Sequence, residues 1–336
     1  MILLDSVYIN DGGGLILLKY LVDVLNKQNK DVYYLFDERT NDVFKNLDIK
    51  KTFIPNKISL RKKFYKENSK KFSSVLCFGN VPPPISLKVP VFVYLHQKLF
   101  IEIPSDFSLK MKLIYKIKQM IFSFYKRNAT KWLVQSELMK QQFTNKYFFG
   151  NMSHVKVIPF YPPLNFSNSN IERIENSFLY VSNVAPHKNH ESLIAAFCNA
   201  YDQIKKGSLV ITVPSSNISL CQLISGKQKL GYPIENIGFV NRENLIELYL
   251  SHEYLIFPSL AESFGLGLAE AIDGGCKVIA ADLPYTYQVC NPSLTFNPYS
   301  IDSIESAIIK SVTQELPESN KIITNDINQL ILLLSE

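Results

Sequence analysis

Two carboxylates eight residues apart, Glu262 and Glu270, bracket the segment SLAESFGLGLAEAIDGG at 259–275. Each can accept two hydrogen bonds from hydroxyl groups, which suits a ribose or a hexose. On one helix, at about 100° per residue, they would point roughly 80° apart. If the helix instead begins near Ser263–Gly265, Glu262 stands on the loop before it and Glu270 about two turns in. The acids could then address different parts of one ligand. Between them, SFGLG offers backbone N–H donors at a helix N-terminus and room for phosphate oxygens. The plainer alternative is a buried helix with two exposed acids, against which Gly265 and Gly267 in the first turn argue.

Three further stretches hold residues of chemical interest. In VSNVAPHKNHESLIAAF (181–197) a strand runs out at Ser182–Asn183, and a loop carrying His187 and Lys188 leads into an amphipathic helix. A cation beside a helix N-terminus makes an anion site fit for a diphosphate, although a solvated charged loop would read the same way. In NDGGGLILL (10–18) the glycines Gly12, Gly13 and Gly14 follow the first strand. They predict a tight turn whose exposed N–H groups admit a phosphate or sugar, or else a plain strand-to-helix turn. The spacing is neither G-x-G-x-x-G nor a P-loop. Finally, His96 closes the strand VFVYLH (91–96), at the carboxyl edge of a sheet. Alone it would be an ordinary satisfied side chain. No D-x-D occurs anywhere in the chain.

These residues need a scaffold, and the hydrophobic pattern supplies one. Short apolar runs predict strands at 2–5, 32–36, 75–79, 91–96, 131–136 and 155–160, then at 178–183, 209–214, 236–240, 254–259, 277–282 and 294–298. Helical periodicities such as GLILLKYLVDVLNKQ (14–28) separate most of them. Nearly continuous apolar strands alternating with helices indicate parallel sheets covered on both faces. The pattern occurs twice, joined by the Pro-, Asn- and Ser-rich YPPLNFSNSNIERIEN (161–176). The expectation is α/β: two doubly wound Rossmann-like domains, 1–163 and 164–315, facing each other across a cleft, with segment 316–336 packing back on the first. Ligands in such sheets bind at the carboxyl ends of the strands.

Composition narrows the classes. The 336 residues are 46% apolar and 20% charged, with a formal charge of +6 and no run long enough to span a membrane. The opening MILLDSVYIN lacks a basic n-region and reads as a core strand rather than a signal peptide. Five scattered cysteines without C-x-x-C spacing indicate free thiols and no metal site. No nucleic-acid-binding motif appears.

Taken together the motifs resemble the retaining GT-B glycosyltransferases, specifically glycosyltransferase family 4. FPSLAESFGLGLAEAIDGGCKVIAAD fits that family's E-x7-E signature and the strand after it, and YVSNVAPHKNHESLIAAF fits its donor-phosphate loop. NIGFV…ENLIELYLSHEYLIFPS fits the stretch leading to the signature, and VPVFVYLHQ the strand ending in an active-site histidine. The resemblance runs along most of 1–315. It implies a nucleotide-diphosphate sugar as donor and no cofactor or metal. Glu270 would hold ribose hydroxyls and Glu262 would face the donor sugar. The backbone of Ser263, Phe264, Gly265 and Leu266 would meet sugar and phosphates, and Lys188 would neutralise the diphosphate, helped by His187. Gly12–Gly14 would approach from the opposite domain, Phe239 and Val240 would border the base, and His96 would lie near the donor sugar and the acceptor hydroxyl. One departure stands out, since Asn183 occupies the place of an arginine common in the family. The implied reaction is retaining transfer to a hydroxyl of a polyprenyl-diphosphate-linked glycan in bacterial surface polysaccharide (O-antigen or capsule) assembly. The rivals are a non-catalytic GT-B scaffold and another sugar-nucleotide enzyme such as an epimerase.

Two basic stretches in the first half, KISLRKKFYKENSKK (57–71) and KMKLIYKIKQMIFSFYKRNATK (110–131), bear on location. The second has no acid and sets Leu113, Ile117, Met120, Ile121 and Phe124 near one helical face. A helix of this kind can lie on an anionic membrane surface, which predicts a cytoplasmic protein peripheral to the inner face of the membrane. A core helix with a solvated charged face is the commoner alternative.

Overall fold

The computed structural model describes residues 1–103, 108–166, 171–262 and 264–335. The chain forms two compact units, Met1–Pro162 with Thr324–Glu336, and Pro163–Ile323.

The first unit runs β1 (Ile2–Asp5), α1 (Gly12–Lys27), β2 (Val32–Asp37), α2 (Asn41–Phe44), β3 (Lys51–Ile54), α3 (Ile58–Asn68), β4 (Ser74–Cys77), β5 (Val91–Leu95), α4 (Leu109–Tyr125), β6 (Lys131–Val134), α5 (Glu137–Tyr147) and β7 (Val155–Val157). Its sheet has the order β3-β2-β1-β4-β5-β6-β7, and every pair is parallel. All residues of β1, β4 and β5 are buried, as helices on both faces require. The periodicity missed β3, because KTFI is a half-buried edge strand with a polar first half. An edge strand has less apolar surface to hide, and its pattern is weaker.

The second unit continues with β8 (Ile174–Tyr180), α6 (His190–Ile204), β9 (Ser208–Ile211), α7 (Ile218–Lys229), β10 (Ile234–Asn236), α8 (Leu245–Ser251), β11 (His252–Phe257), α9 (Leu266–Asp273), β12 (Lys277–Ala281), α10 (Thr286–Val289), β13 (Cys290–Asn291), β14 (Leu294–Phe296), α11 (Ile301–Thr313) and β15 (Asn320–Lys321). Its parallel sheet is ordered β10-β9-β8-β11-β12-β14, and β13 pairs antiparallel with β15. That small pairing moves the expected boundary. Residues 316–323 stay with the second unit, because Ser319 Oγ accepts from the backbone of Val278 at 2.8 Å and Ser293 at 3.0 Å. The chain returns only at Thr324, and α12 (Ile327–Ser335) buries Leu330, Ile331 and Leu334 in the first unit. Ser74 Oγ donates to Leu334 O at 2.7 Å, fastening α12 to β4.

A charged pair lies in the core of the first unit. Asp5, at the end of β1, accepts from Arg61 Nε at 2.7 Å and from the Tyr65 hydroxyl at 2.6 Å. Both partners of the ion pair are at most 1% exposed. Arg61 also donates to the carbonyls of Val81 and Pro82, both at 2.8 Å, and to Cys77 Sγ at 3.3 Å. Burial pushes the adjoining Cys77 thiol up to about 12, so it stays protonated. The guanidinium thus ties β1 to the loop after β4. Removing one partner strands the other charge away from water, so Arg61→Ala should cost about 3–5 kcal/mol. Urea unfolding of the full chain checks this, and a loss below about 1 kcal/mol would mean that the pair is not uncompensated on truncation.

Candidate functional site

The two sheets share one topological feature, a reversal of strand order beside their first strand. In the second unit it falls between β8 and β11, whose following loops diverge and leave room for a ligand at their carboxyl ends. Lys188 and Glu262, both singled out in the sequence, lie on these two loops. Lys188 follows β8, and its Nζ makes a 2.5 Å ion pair with Oε1 of Glu262, on the loop after β11. Both side chains are largely shielded, at 13% and 12% exposure, so the pair is screened less than a surface pair.

Backbone contacts lock the loops together. Leu260 N donates to His187 O at 2.7 Å, and the Tyr180 hydroxyl donates to Lys188 O at 2.7 Å and lies 3.3 Å from Ser259 Oγ. Asn189, in the left-handed conformation with φ 59°, sends its amide to Pro258 O at 3.3 Å and Pro298 O at 2.8 Å. The Tyr285 hydroxyl holds Ser259 O at 2.7 Å. Behind the loop, His190 opens α6 almost fully buried, with Nε2 lacking a partner among the described residues. Burial, with Lys188 adding to it, lowers its pKa to about 4.

Glu270 sits in α9, a helix that starts at Leu266, a little later than the sequence predicts. The acid is therefore just over one turn in, and Glu262 is on the loop. Gly265 caps the helix at φ 76°, a backbone conformation that an L side chain adopts only with strain. Glu270 pairs with Arg242 and accepts from the Tyr249 hydroxyl at 3.4 Å. Burial raises its pKa above the usual carboxylate range, while Arg242 and Tyr249 act against the rise. Neither partner was picked out in the sequence. The signal was slight, an arginine and a tyrosine seven residues apart in RENLIELY (242–249), two turns of helix.

Other predicted positions fall out differently. Asn183 is exposed and makes no side-chain hydrogen bond among the described residues. Phe264 and Leu266 are half-buried beside the buried Gly265, and Ser263 lies outside the described residues. Phe239 and Val240 are in no strand, because Asn236 Oδ1 accepts from the backbone of Val213 and Gly238 and ends β10 there. Phe239 is 78% exposed.

In the first unit Gly12, Gly13 and Gly14 are the first turn of α1, not a turn before it. Asp11 precedes the helix in extended conformation, and the early N–H groups of any helix lack intrahelical acceptors, so the donors remain available. A Cβ at Gly12 or Gly13 would meet nothing within 4 Å, whereas one at Gly14 would come 3.0 Å from Cε1 of His96. His96 itself directly follows β5, stacked on Phe78 at 5.1 Å. Burial lowers its pKa to about 4. Among the described residues no group of three or more His, Cys, Asp or Glu is arranged to hold a metal ion.

Residues 164–329 match the family described as glycosyl transferases group 1. The chain is 34% identical over 110 residues to the serotype-specific mannosyltransferase WbdA of Escherichia coli, a match spanning 32% of this chain and 14% of that relative. It is 31% identical over 153 residues to the O-antigen chain mannosyltransferase RfbU of Salmonella typhimurium, covering 43% and 40% of the two chains. The chain therefore spans well under half the length of these relatives. Among solved structures, Alr3699/HepE of Anabaena in complex with UDP and glucose superposes with a TM-score of 0.65 at 15% identity, over 93% of this chain and 89% of that one. The fold is GT-B, with a glycosyl transferases group 1 region in the second unit.

The raised pKa of Glu270 has a testable consequence. A carboxyl that binds its proton more tightly when folded favours the folded state below the unfolded pKa, and that contribution is lost as pH rises through the folded pKa. Arg242→Met removes the cation opposing this, so the Glu270 carboxyl should titrate at still higher pH than in the wild type. A carbon-detected NMR titration of that carboxyl reads the shift, and an unchanged or lower midpoint would show that Arg242 does not support the carboxylate.

Proposed function

We propose that this protein is a glycosyltransferase that moves a sugar from a nucleoside-diphosphate sugar to a hydroxyl of a glycan acceptor. The observation that carries the reading is the Lys188–Glu262 pair, latched on neighbouring loops at the strand-order reversal, with Glu270 one helix turn into the next element. Glu270, kept in place by Arg242 and Tyr249, is suited to vicinal hydroxyls such as those of a ribose. Glu262 offers acceptor oxygens to sugar hydroxyls. Lys188 is the cation for a departing diphosphate, supported by the positive end of α6. No metal has a step in this reading.

Retention at the anomeric carbon is part of the proposal. The bond from that carbon to the phosphate oxygen breaks, and a bond to the acceptor oxygen forms on the same face. The acceptor's proton passes to the departing phosphate oxygen, so no protein base is required. The likeness to RfbU and WbdA supports a polysaccharide acceptor, with mannose the first donor sugar to test. A lipid-linked, polyprenyl-diphosphate acceptor belongs to the same reading, in O-antigen or capsule assembly.

The location of such an acceptor is supported by α4. Among its residues Leu109, Leu113, Met120 and Phe124 are 86%, 60%, 71% and 63% exposed, and only Phe122 is buried. Lys110, Lys112, Lys116 and Lys118 share the helix, without an acid. The exposed apolar residues support the surface reading, while Phe122 docks the helix on the core. Its apolar and basic residues suit insertion at the headgroup level of an anionic bilayer. Among the described residues no helix is long and apolar enough to cross a membrane.

A panel of UDP-, GDP-, dTDP- and ADP-sugars, assayed for binding and transfer, tests the function. Lys188→Ala should lower kcat by about 10²–10³-fold, as expected for loss of a group that meets developing charge. Glu270→Ala should weaken nucleotide binding by about tenfold or more. Wild-type rates in both variants would remove this site. Binding without turnover would favour the scaffold reading, and conversion without transfer an epimerase.

Vesicle sedimentation checks the membrane contact. Anionic vesicles should retain the protein and neutral ones should not. Replacing Lys110, Lys112, Lys116 and Lys118 by alanine should release it, at about 1 kcal/mol for each lysine near the surface. Equal retention on both vesicle types would count against the electrostatic part of the surface.

A further inference from the structure

The loop after β4 holds two adjacent residues in positions that few side chains could occupy. A Cβ on Gly79 would stand 2.1 Å from the Val7 carbonyl oxygen, so only glycine fits. Asn80 follows at φ 65°, left-handed and 4% exposed. A non-glycine residue in that region carries a strain that the surrounding contacts must overcome. They do so on both sides, since Phe78 N donates to Asp5 O at 2.7 Å while Arg61 grips the carbonyls of Val81 and Pro82.

The Asn80 side chain is spent on one neighbour. Its Oδ1 accepts from His96 N at 2.8 Å and Gln97 N at 3.1 Å, fixing the backbone just past β5. Because those two N–H groups hold the oxygen, the amide cannot turn over, and Nδ2 faces His96 Nε2 at 3.2 Å. Nδ2 can only donate. The same ring nitrogen lies 3.2 Å from the Phe78 carbonyl, which can only accept. The two neighbours ask for opposite tautomers. A proton on Nε2 would point N–H at N–H and orphan a buried donor on Asn80. A proton on Nδ1 would leave the Phe78 carbonyl one donor short. Orphaned buried N–H groups are the rarer defect, so the second arrangement wins.

We propose that Asn80 is a positioning residue for His96: its amide donates to Nε2, so the ring proton sits on Nδ1, ready to donate to a substrate hydroxyl oxygen. Nδ1 has no hydrogen-bond partner among the described residues, the ring face is set by Phe78, and Cε1 is bounded by Gly14. Burial lowers the imidazole pKa to about 4, so the ring is neutral and only one of its nitrogens carries a proton. The substrate half of this inference rests on the sugar-transfer reading, whereas the tautomer does not.

Imidazole nitrogen NMR of the full-length chain, with the His96 signals assigned through His96→Gln, reads the tautomer directly. The wild type should show the proton on Nδ1. Asn80→Asp, which turns the donor into an acceptor, and Asn80→Ala, which removes it, should each move the proton to Nε2. In transfer assays Asn80→Asp should lower kcat by about 10²-fold, the scale of a misplaced reacting group, with the donor KM little changed. A wild-type proton on Nε2 would overturn the proposal, and so would a tautomer that moves in the variants without a fall in kcat. Absence of turnover in the wild type would strike the transfer reading, and the ring spectrum would still decide the role of Asn80.

Discussion

The reversal of strand order beside the first strand of each sheet is the constraint on which the rest depends. At β1/β4 and at β8/β11 the connections leave in opposite directions, so the loops at the carboxyl ends part and the backbone there loses its covering helices. Polar groups gathered at such a gap must be satisfied by one another or by a ligand. In the second unit the Lys188–Glu262 pair, the Leu260 N to His187 O bond and the Asn189 amide on Pro258 O join the two diverging loops, while Tyr285 steadies Ser259 from the side of β12. In the first unit Asp5, Arg61 and Asn80 do the corresponding work between the ends of β1, β4 and β5.

The charged pairs at these gaps differ in a way that fits different tasks. Asp5 and Arg61 are sealed in and fully hydrogen-bonded, an arrangement that fixes geometry and is costly to break. Lys188 and Glu262 keep partial access to water, as do Arg242 and, to a lesser degree, Glu270. A pair that is shielded but not sealed can exchange its partner for a ligand without leaving a bare charge in the interior. The first kind supports a shape, and the second can take part in binding.

Asn183 belongs to neither kind of pair. That position is exposed and adds no cation to the β8–α6 loop. A guanidinium does lie near Glu270, that of Arg242, which precedes α8 and pairs with that acid.

Much of this was legible beforehand. Apolar runs such as ILL and VLCF give buried parallel strands because both faces of the sheet must be covered, and Gly265, three residues after Glu262, marks a helix start because the backbone there needs a positive φ. The sequence alone therefore determined the doubled α/β pattern and the placing of Glu262 on a loop and Glu270 on a helix. It could not show β3, whose edge position needs little apolar surface, or the return of the chain at Thr324, which depends on Ser319 and the β13–β15 pairing. Nor could it show that Arg242 meets Glu270, that Lys188 meets Glu262, or that Asn80 holds His96. Those are contacts between residues 16 to 74 positions apart, and only folding brings such partners within hydrogen-bonding distance. Local pattern reports which face of an element is buried; which buried polar groups answer one another was decided by the tertiary structure.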